Sequence, residues 1–193
     1  MKKLFVLASL VICVIAAKAQ AGKAQFGVKG GLNLANLQSP NTDYDSKSGL
    51  HAGLLAHVHV TNHFAVQPEL YYSNQGTEYR NANQIFRTNL SYLNLPVLAQ
   101  YMVGTGFRLQ TGPQLGFLLD AKSRVKDSDT KTDVEDNFKS TDFSWAFGAS
   151  YLTNSGFGVD ARYNLGLSNI NEASSPNVKN RVFQVGAFYQ FKH

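Results

Sequence analysis

The sequence predicts an all-β fold, a single eight-stranded antiparallel up-and-down transmembrane β-barrel in the outer membrane of a Gram-negative cell envelope. Three observations predict this fold. Apolar side chains recur at every second position in eight segments, and the connections between the segments alternate between long and short. The face opposite the apolar one is rich in glycine and charged residues.

The chain begins with a segment typical of a secretory signal. Two lysines precede an apolar run from Leu4 to Ala17, and Ala17 and Ala19 are the small residues that a signal peptidase recognises. We therefore expect residues 1–19 to be a signal peptide and residues 20–193 to form one outer-membrane β-barrel domain.

The composition of the mature chain excludes several classes of protein. Of the 18 Lys and Arg residues, Lys2, Lys3 and Lys18 belong to the signal, which leaves 15 against 13 acidic residues and indicates no nucleic-acid partner. The only cysteine, Cys13, lies inside the apolar run and does not follow a small residue, so lipidation is the less favoured alternative. No stretch after Ala19 approaches the roughly 20 apolar residues of a transmembrane helix.

The eight segments share the two-residue period of a β-strand. Leu55 departs from the alternation, and Pro68 and Pro96 weaken the third and fourth segments because proline cannot donate to a ladder. In chain order, the apolar sets run over 26–34, 50–60, 64–72, 93–101, 107–117, 143–151, 157–167 and 183–191.

The connections alternate in length along the whole chain. Outer-membrane barrels have short periplasmic turns and longer external loops, so this order predicts that both termini face the periplasm. The long connections are 38–48, 76–88, 120–141 and 168–180, and the short ones are 61–63, 102–106 and 153–155.

The face opposite the apolar one indicates which side of the barrel is the inside. Alternation alone does not, because a soluble barrel such as a lipocalin alternates as well. Glycine marks close backbone approach, as expected inside a narrow barrel, and so large an apolar surface exceeds what a soluble monomer tolerates. We therefore expect the apolar face to contact lipid. Aromatic residues on it are candidates for interfacial girdles, with a core-filling role as the alternative; they are Tyr72, Tyr101, Trp145, Tyr151 and Tyr189.

Three motifs in this order resemble the PorT-like family of small porin-like outer-membrane β-barrels of Bacteroidota. They are Tyr92 to Leu98, then Gly112-Pro113 with Gly116 and Leu119, then Asp160 to Asn164 with Gly166-Leu167-Ser168. The resemblance spans nearly the whole mature chain and implies an outer-membrane barrel. Some relatives take part in protein secretion or gliding.

The C-terminal end departs in one respect from the usual signal for barrel assembly. Lys192 and His193 follow the last aromatic residue, Phe191, which keeps phase with Tyr189. We expect the barrel-assembly machinery to recognise the chain nonetheless.

Five charged residues occupy inward positions of the predicted strands. An unpaired ion away from water is very costly, so we expect these residues to pair as a structural charge network in the lumen. A proton or ion path is the functional alternative. The five are Lys29, Glu69, Arg108, Asp160 and Arg162.

Two further patterns suggest metal binding without completing a site. His57 and His59 share a strand face with His51, but no Cys, Asp or Glu joins them, so lumen hydrogen bonding is favoured. In the connection 120–142, an Asp-Ser-Asp sequence suggests calcium, yet Lys131 takes the next ligand position. We expect no metal or cofactor, and interpret this connection as a solvated external loop that contacts lipopolysaccharide or a partner protein.

Together these observations predict a non-enzymatic barrel with a structural or interaction role, since about eight strands leave room only for side chains. Its expected partners are outer-membrane lipid, lipopolysaccharide, the assembly machinery and an envelope protein. One alternative is a lipid-modifying enzyme, for which His51 near Ser46 or Ser48 is the local candidate pair. The other is a soluble periplasmic ligand-binding barrel.

Overall fold

The computed structural model describes residues 24–40, 44–81, 84–125, 131–173 and 176–191. The predicted signal peptide and the C-terminal Lys192 and His193 lie outside these residues. No helix in the described part is long and apolar enough to span a membrane. The strands are β1 (Ala24–Gln38), β2 (Asp45–His59), β3 (Phe64–Asn81), β4 (Gln84–Val103), β5 (Phe107–Val125), β6 (Lys131–Asp133), β7 (Thr141–Leu152), β8 (Phe157–Gly166) and β9 (Lys179–Gln190).

Eight of these strands close into a ring of antiparallel neighbours. Each pairs with the next in the chain, and β1 pairs with β9 to complete the ring. The short strand β6 pairs only with the far end of β5, beyond the ring. The predicted eight-stranded barrel is confirmed, and its closure leaves the ring no free edge, as a sheet in lipid requires.

Burial alternates along the strands, with the apolar side chains outside. Leu32, Leu50 and Phe157 are each 63% exposed, whereas Lys29 and Asn33 are buried. This distribution is the inverse of that in a soluble protein and fits an outer surface that meets hydrocarbon. The predicted outward face is confirmed.

Glycines on the inner face make room for large inward side chains. A Cβ on Gly27 would contact the Leu55 side chain, and one on Gly158 would overlap the Phe188 ring. Leu55, which breaks the alternation in the sequence, is accordingly buried in the lumen beside β1. Small and large residues on facing strands therefore fill the narrow interior together.

The end of the barrel that carries the long connections is here called the outer end. At this end the strands extend further than the sequence predicts. The connection predicted at 76–88 is largely a ladder, because β3 continues to Asn81 and β4 begins at Gln84. Similarly, β5 continues to Val125. The predicted strand ends were wrong because polar residues mark the exit from lipid, whereas the hydrogen bonds of the ladder do not depend on side-chain polarity.

An apolar cluster, here called the outer cap, covers the outer mouth of the barrel. Lys139 N–H donates to the Ile170 carbonyl at 2.8 Å and Glu172 N–H to that of Asn137 at 3.0 Å, which ties the segments before β7 and β9 together. Part of the connection predicted as a solvated loop is therefore packed, because Val134 and Phe138 cover buried neighbours. The buried members are Leu37, Leu90, Tyr92, Leu118, Ala121, Ile170 and Val178.

The outward orientation of the apolar side chains predicts how the energetic cost of a charged substitution varies with its depth in the membrane. Ala161 is exposed on the middle of β8, and Thr141 is exposed at the outer end of the neighbouring strand β7. Ala161→Arg should lower the free energy of unfolding by about 2–4 kcal/mol, and the control Thr141→Arg by less than about 1 kcal/mol. Urea unfolding in lipid vesicles measures both, and equal costs would contradict the assigned lipid band.

Candidate functional site in the barrel lumen

Four of the five charged residues predicted to pair in the lumen form one cluster. The Arg162 guanidinium donates to both Glu69 carboxylate oxygens, at 2.9 and 2.8 Å, and Lys29 Nζ lies 3.1 Å from Glu69 Oε2. Asp160 Oδ2 lies 3.5 Å from Lys29 Nζ and 3.8 Å from Arg162 Nη2. Two cations thus balance two anions, and all four side chains are nearly fully buried.

Glu69 is the best-satisfied member of this cluster and Asp160 the least. Glu69 Oε1 also accepts from Gln67 Nε2 at 2.8 Å, in addition to the two parallel bonds from Arg162. Such two-pronged pairs between guanidinium and carboxylate are among the strongest hydrogen bonds in proteins. The Asp160 oxygens have no hydrogen-bond partner among the described residues, so Asp160 contributes chiefly by balancing charge.

Arg108, the fifth predicted member, lies apart from the cluster. It is the first inward residue of β5, next to a short turn, and its guanidinium contacts His57 Nδ1 at 3.4 Å and Gln190 Oε1 at 3.2 Å. Within the described ranges, no carboxylate oxygen lies within 4.0 Å of it. Arg108 is therefore not part of the network, because Glu69 and Asp160 face Lys29 and Arg162 further along the lumen.

A layer of neutral hydrogen bonds adjoins the charge cluster. Tyr71 Oη donates to Gln114 Oε1 at 2.6 Å, and Gln184 Nε2 donates to Asn33 Oδ1 at 2.9 Å. His51 Nδ1 lies 2.8 Å from the same Asn33 oxygen. Amides at inward positions of the two-residue period are the signal in the sequence for this layer, which the charged residues alone do not predict.

The outermost polar layer lies beneath the outer cap. Asp142 Oδ1 accepts from Ser168 Oγ at 2.9 Å, and Asn180 Nδ2 donates to both Asp142 and Gln75. Lys47 Nζ donates to Asn74 Oδ1 at 2.8 Å on the other side. Together with the inner layers, these contacts place hydrogen-bonded side chains along the lumen from the short turns at one end to the outer mouth at the other.

The three inward histidines lie in two separate places. His51 belongs to the neutral layer, whereas His57 Nδ1 lies 2.8 Å from Gln100 Oε1 and its ring meets that of His59 edge to face at 4.5 Å. In the part of the chain that the structure describes, no three His, Cys, Asp or Glu side chains converge. His51 and His57 thus make the lumen hydrogen bonds that the sequence favours.

The residues proposed for the enzyme alternative are not brought together. His51 is buried in the lumen at 2% exposure, whereas Ser46 and Ser48 are exposed on the opposite face of β2. Side chains of odd and even residues on one strand point to opposite faces, so this separation follows from the register of β2.

The bonds from Arg162 to Glu69 predict a large single-variant effect. Arg162→Leu leaves Lys29 as the one cation of the cluster beside two acids, Glu69 and Asp160. The variant should therefore lower the free energy of unfolding by about 3–5 kcal/mol. Heat-modifiable gel migration and urea unfolding measure the loss. The double variant Arg162→Leu with Glu69→Leu, which keeps the charges balanced, should recover most of the stability. A single variant with full heat resistance would argue against the network.

Solved structures share this fold at low sequence identity. Ail, the attachment invasion locus protein of Yersinia pestis, is 14% identical, with 88% of this chain and 99% of that chain covered and a TM-score of 0.55. Neisserial surface protein A is 16% identical, with 87% and 99% covered and a TM-score of 0.59. At these identities the likeness concerns the fold alone. A search of curated proteins gave no match.

The family comparison covers most of the chain. The family model described as outer membrane protein beta-barrel domain matches residues 18–172, which include every strand up to β8. With a closed ring, an apolar exterior and a polar lumen already established, the chain belongs to the outer membrane protein beta-barrel domain family and is a protein of the outer membrane.

Proposed function

We propose that the protein is a non-enzymatic structural or interaction element of the outer membrane, and that it is not a diffusion pore. The observation that carries this proposal is the filled lumen, with the ion cluster and amide layer inside and the outer cap over the mouth. Eight strands enclose about enough space for side chains, and water-filled pores need roughly 16. The separation of His51 from Ser46 and Ser48 supports the absence of catalysis.

A filled lumen predicts the electrical behaviour of the purified protein. In planar bilayers, the folded barrel should show no large, stable conductance, because opening a path requires breaking the buried bonds of Arg162 to Glu69. A known 16-stranded porin in the same bilayers is the positive control, and the heat-unfolded sample is the negative one. Stable conductance steps comparable to those of the porin would overturn the proposal.

The outer parts of β3, β4 and β5, together with β6, are here called the outer extensions. They carry a row of cations that fits an anionic partner. Arg87 of β4, Arg124 of β5 and Lys131 of β6 are successive cross-strand neighbours. Like charges opposite each other destabilise a sheet. Glu78 accepts from Arg87 Nε at 2.7 Å, but Arg124 Nε is buried without a hydrogen-bond partner among the described residues.

Lipopolysaccharide is the partner we propose for this cation row. The row lies on the outer extensions, beyond the apolar band, where phosphate groups of outer-leaflet lipid are within reach. A guanidinium binds phosphate oxygens through two parallel hydrogen bonds, and nearby phosphates would offset the repulsion between Arg87, Arg124 and Lys131.

We also propose that the protein has a role in protein secretion, as some PorT-like proteins do. Of the motifs that carry the resemblance, Asp160 to Asn164 on β8 supplies Asp160 and Arg162 to the ion cluster and Asn164 to the amide layer. The motif at Tyr92 supplies a buried member of the outer cap. On this proposal, the outer extensions bind an envelope partner, and Phe191, exposed in phase with β9, serves recognition by the barrel-assembly machinery.

Lipopolysaccharide should therefore stabilise the barrel through Arg124. In vesicles that contain it, the thermal unfolding midpoint should rise relative to vesicles of neutral phospholipid, and Arg124→Gln should remove roughly 1 kcal/mol of that stabilisation. Lys139→Gln, a cation outside the row, is the matched control and should keep the full rise. A rise that is the same in both variants, or no rise at all, would contradict this partner.

A further inference from the structure

Arg108 is a buried lumen cation without an anion. Its side chain is nine-tenths buried, with a residue exposure of 5%, and in the described ranges no carboxylate lies within 4.0 Å of it. The other two lumen cations at the ion cluster each contact an acid. Burying a charge without a counter-charge is costly, so the surroundings of Arg108 need a source of negative charge.

Hydrogen-bond donors outnumber acceptors around this guanidinium. Arg108 has five N–H donors, and its two acceptors are the neutral atoms His57 Nδ1 at 3.4 Å and Gln190 Oε1 at 3.2 Å. Both distances are long for such bonds. His57 Nδ1 also lies 2.8 Å from Gln100 Oε1, so a proton on Nδ1 that serves Gln100 leaves Arg108 without that acceptor.

One more buried donor in the same hydrogen-bonded group has no partner. It is Gln110 Nε2, one link further along through Gln100, and no acceptor among the described residues satisfies it. His57 Nε2 is also buried without a partner among those residues, but in a neutral ring whose proton is on Nδ1 it is an acceptor. The group as a whole thus carries a positive charge and has unsatisfied N–H donors on Arg108 and Gln110, which is the chemistry of an anion site.

A cavity beside the short turns shares Gln190 with this group. It has a volume of about 250 Å³ and is lined by Gln25, Gln190 and the turn residues Thr105 and Thr153. Gln190 spans the two, because its Oε1 accepts from Arg108 while its Nε2 donates to Gln25 Oε1 at 2.9 Å. A small shift of the Gln190 side chain would open the guanidinium to the cavity.

We propose that this periplasmic mouth is a binding site for a small oxyanion of the carboxylate or phosphate class, held by Arg108. The planar guanidinium matches both oxygens of such a group, and the anion would replace the long contacts to His57 and Gln190. The site binds and does not conduct, because the ion cluster of Glu69 and Arg162 fills the lumen beyond it.

The test uses the folded full chain in detergent at constant ionic strength. Acetate and inorganic phosphate are titrated separately by calorimetry, with chloride as the balancing anion. At least one of the two should bind saturably and raise the thermal unfolding midpoint. Saturation by acetate alone identifies a carboxylate site, and saturation by phosphate alone a phosphate site.

Variants decide whether Arg108 holds the anion. Arg108→Gln should weaken binding by about tenfold or more, whereas Lys139→Gln, which removes a cation at the outer end that is outside the cation row, should leave it unchanged. If Arg108→Gln does not fold, Gln190→Met serves instead. It should strengthen anion binding by about threefold or more, because Gln190 competes with the anion for the guanidinium. Absence of saturable binding in the wild-type protein, or unchanged affinity in the variant that folds, would overturn the proposal.

Discussion

The whole structure depends on one constraint, that every backbone N–H and C=O in hydrocarbon must find its partner within the protein. For strands, only a closed ladder meets it, and here the pairing of β1 with β9 closes the ring. Closure fixes which way each side chain points, since successive residues alternate between lipid and lumen. The apolar exterior and polar interior follow from that geometry.

A narrow ring of eight strands then decides how the lumen is filled. Side chains from opposite walls are close enough to bond across it, as Glu69 of β3 does with Arg162 of β8. Because water is largely excluded, the four charged side chains of the ion cluster are stable there only because two cations balance two anions. Glycines such as Gly27 and Gly158 provide the remaining space for Leu55 and Phe188. The lumen is thus a polar core whose side chains must be packed as closely as those of an apolar core.

The sequence was sufficient for the fold and the faces of the strands, because the two-residue period is fixed by backbone geometry. It was insufficient for the outer strand ends, since residues 77–81 and 84–88 extend the ladder with mostly polar side chains. It placed Arg108 among the pairing charges, yet which inward residues meet depends on the tilt and stagger of the strands. The outer cap escaped prediction because Leu90 and Ile170 meet only after the whole ring has formed.

The pairing of β1 with β9 also has a kinetic consequence. These strands come from opposite ends of the chain, so the contact that seals the barrel has nearly the greatest sequence separation available. Such contacts form slowly, because a long loop must close before the ladder rewards it. Until then, β1 and β9 present unpaired, largely apolar edges that invite association with other chains. An interrupted or truncated chain that lacks β9 therefore cannot mature into a shorter barrel, and we expect it to be a substrate for periplasmic chaperones and proteases.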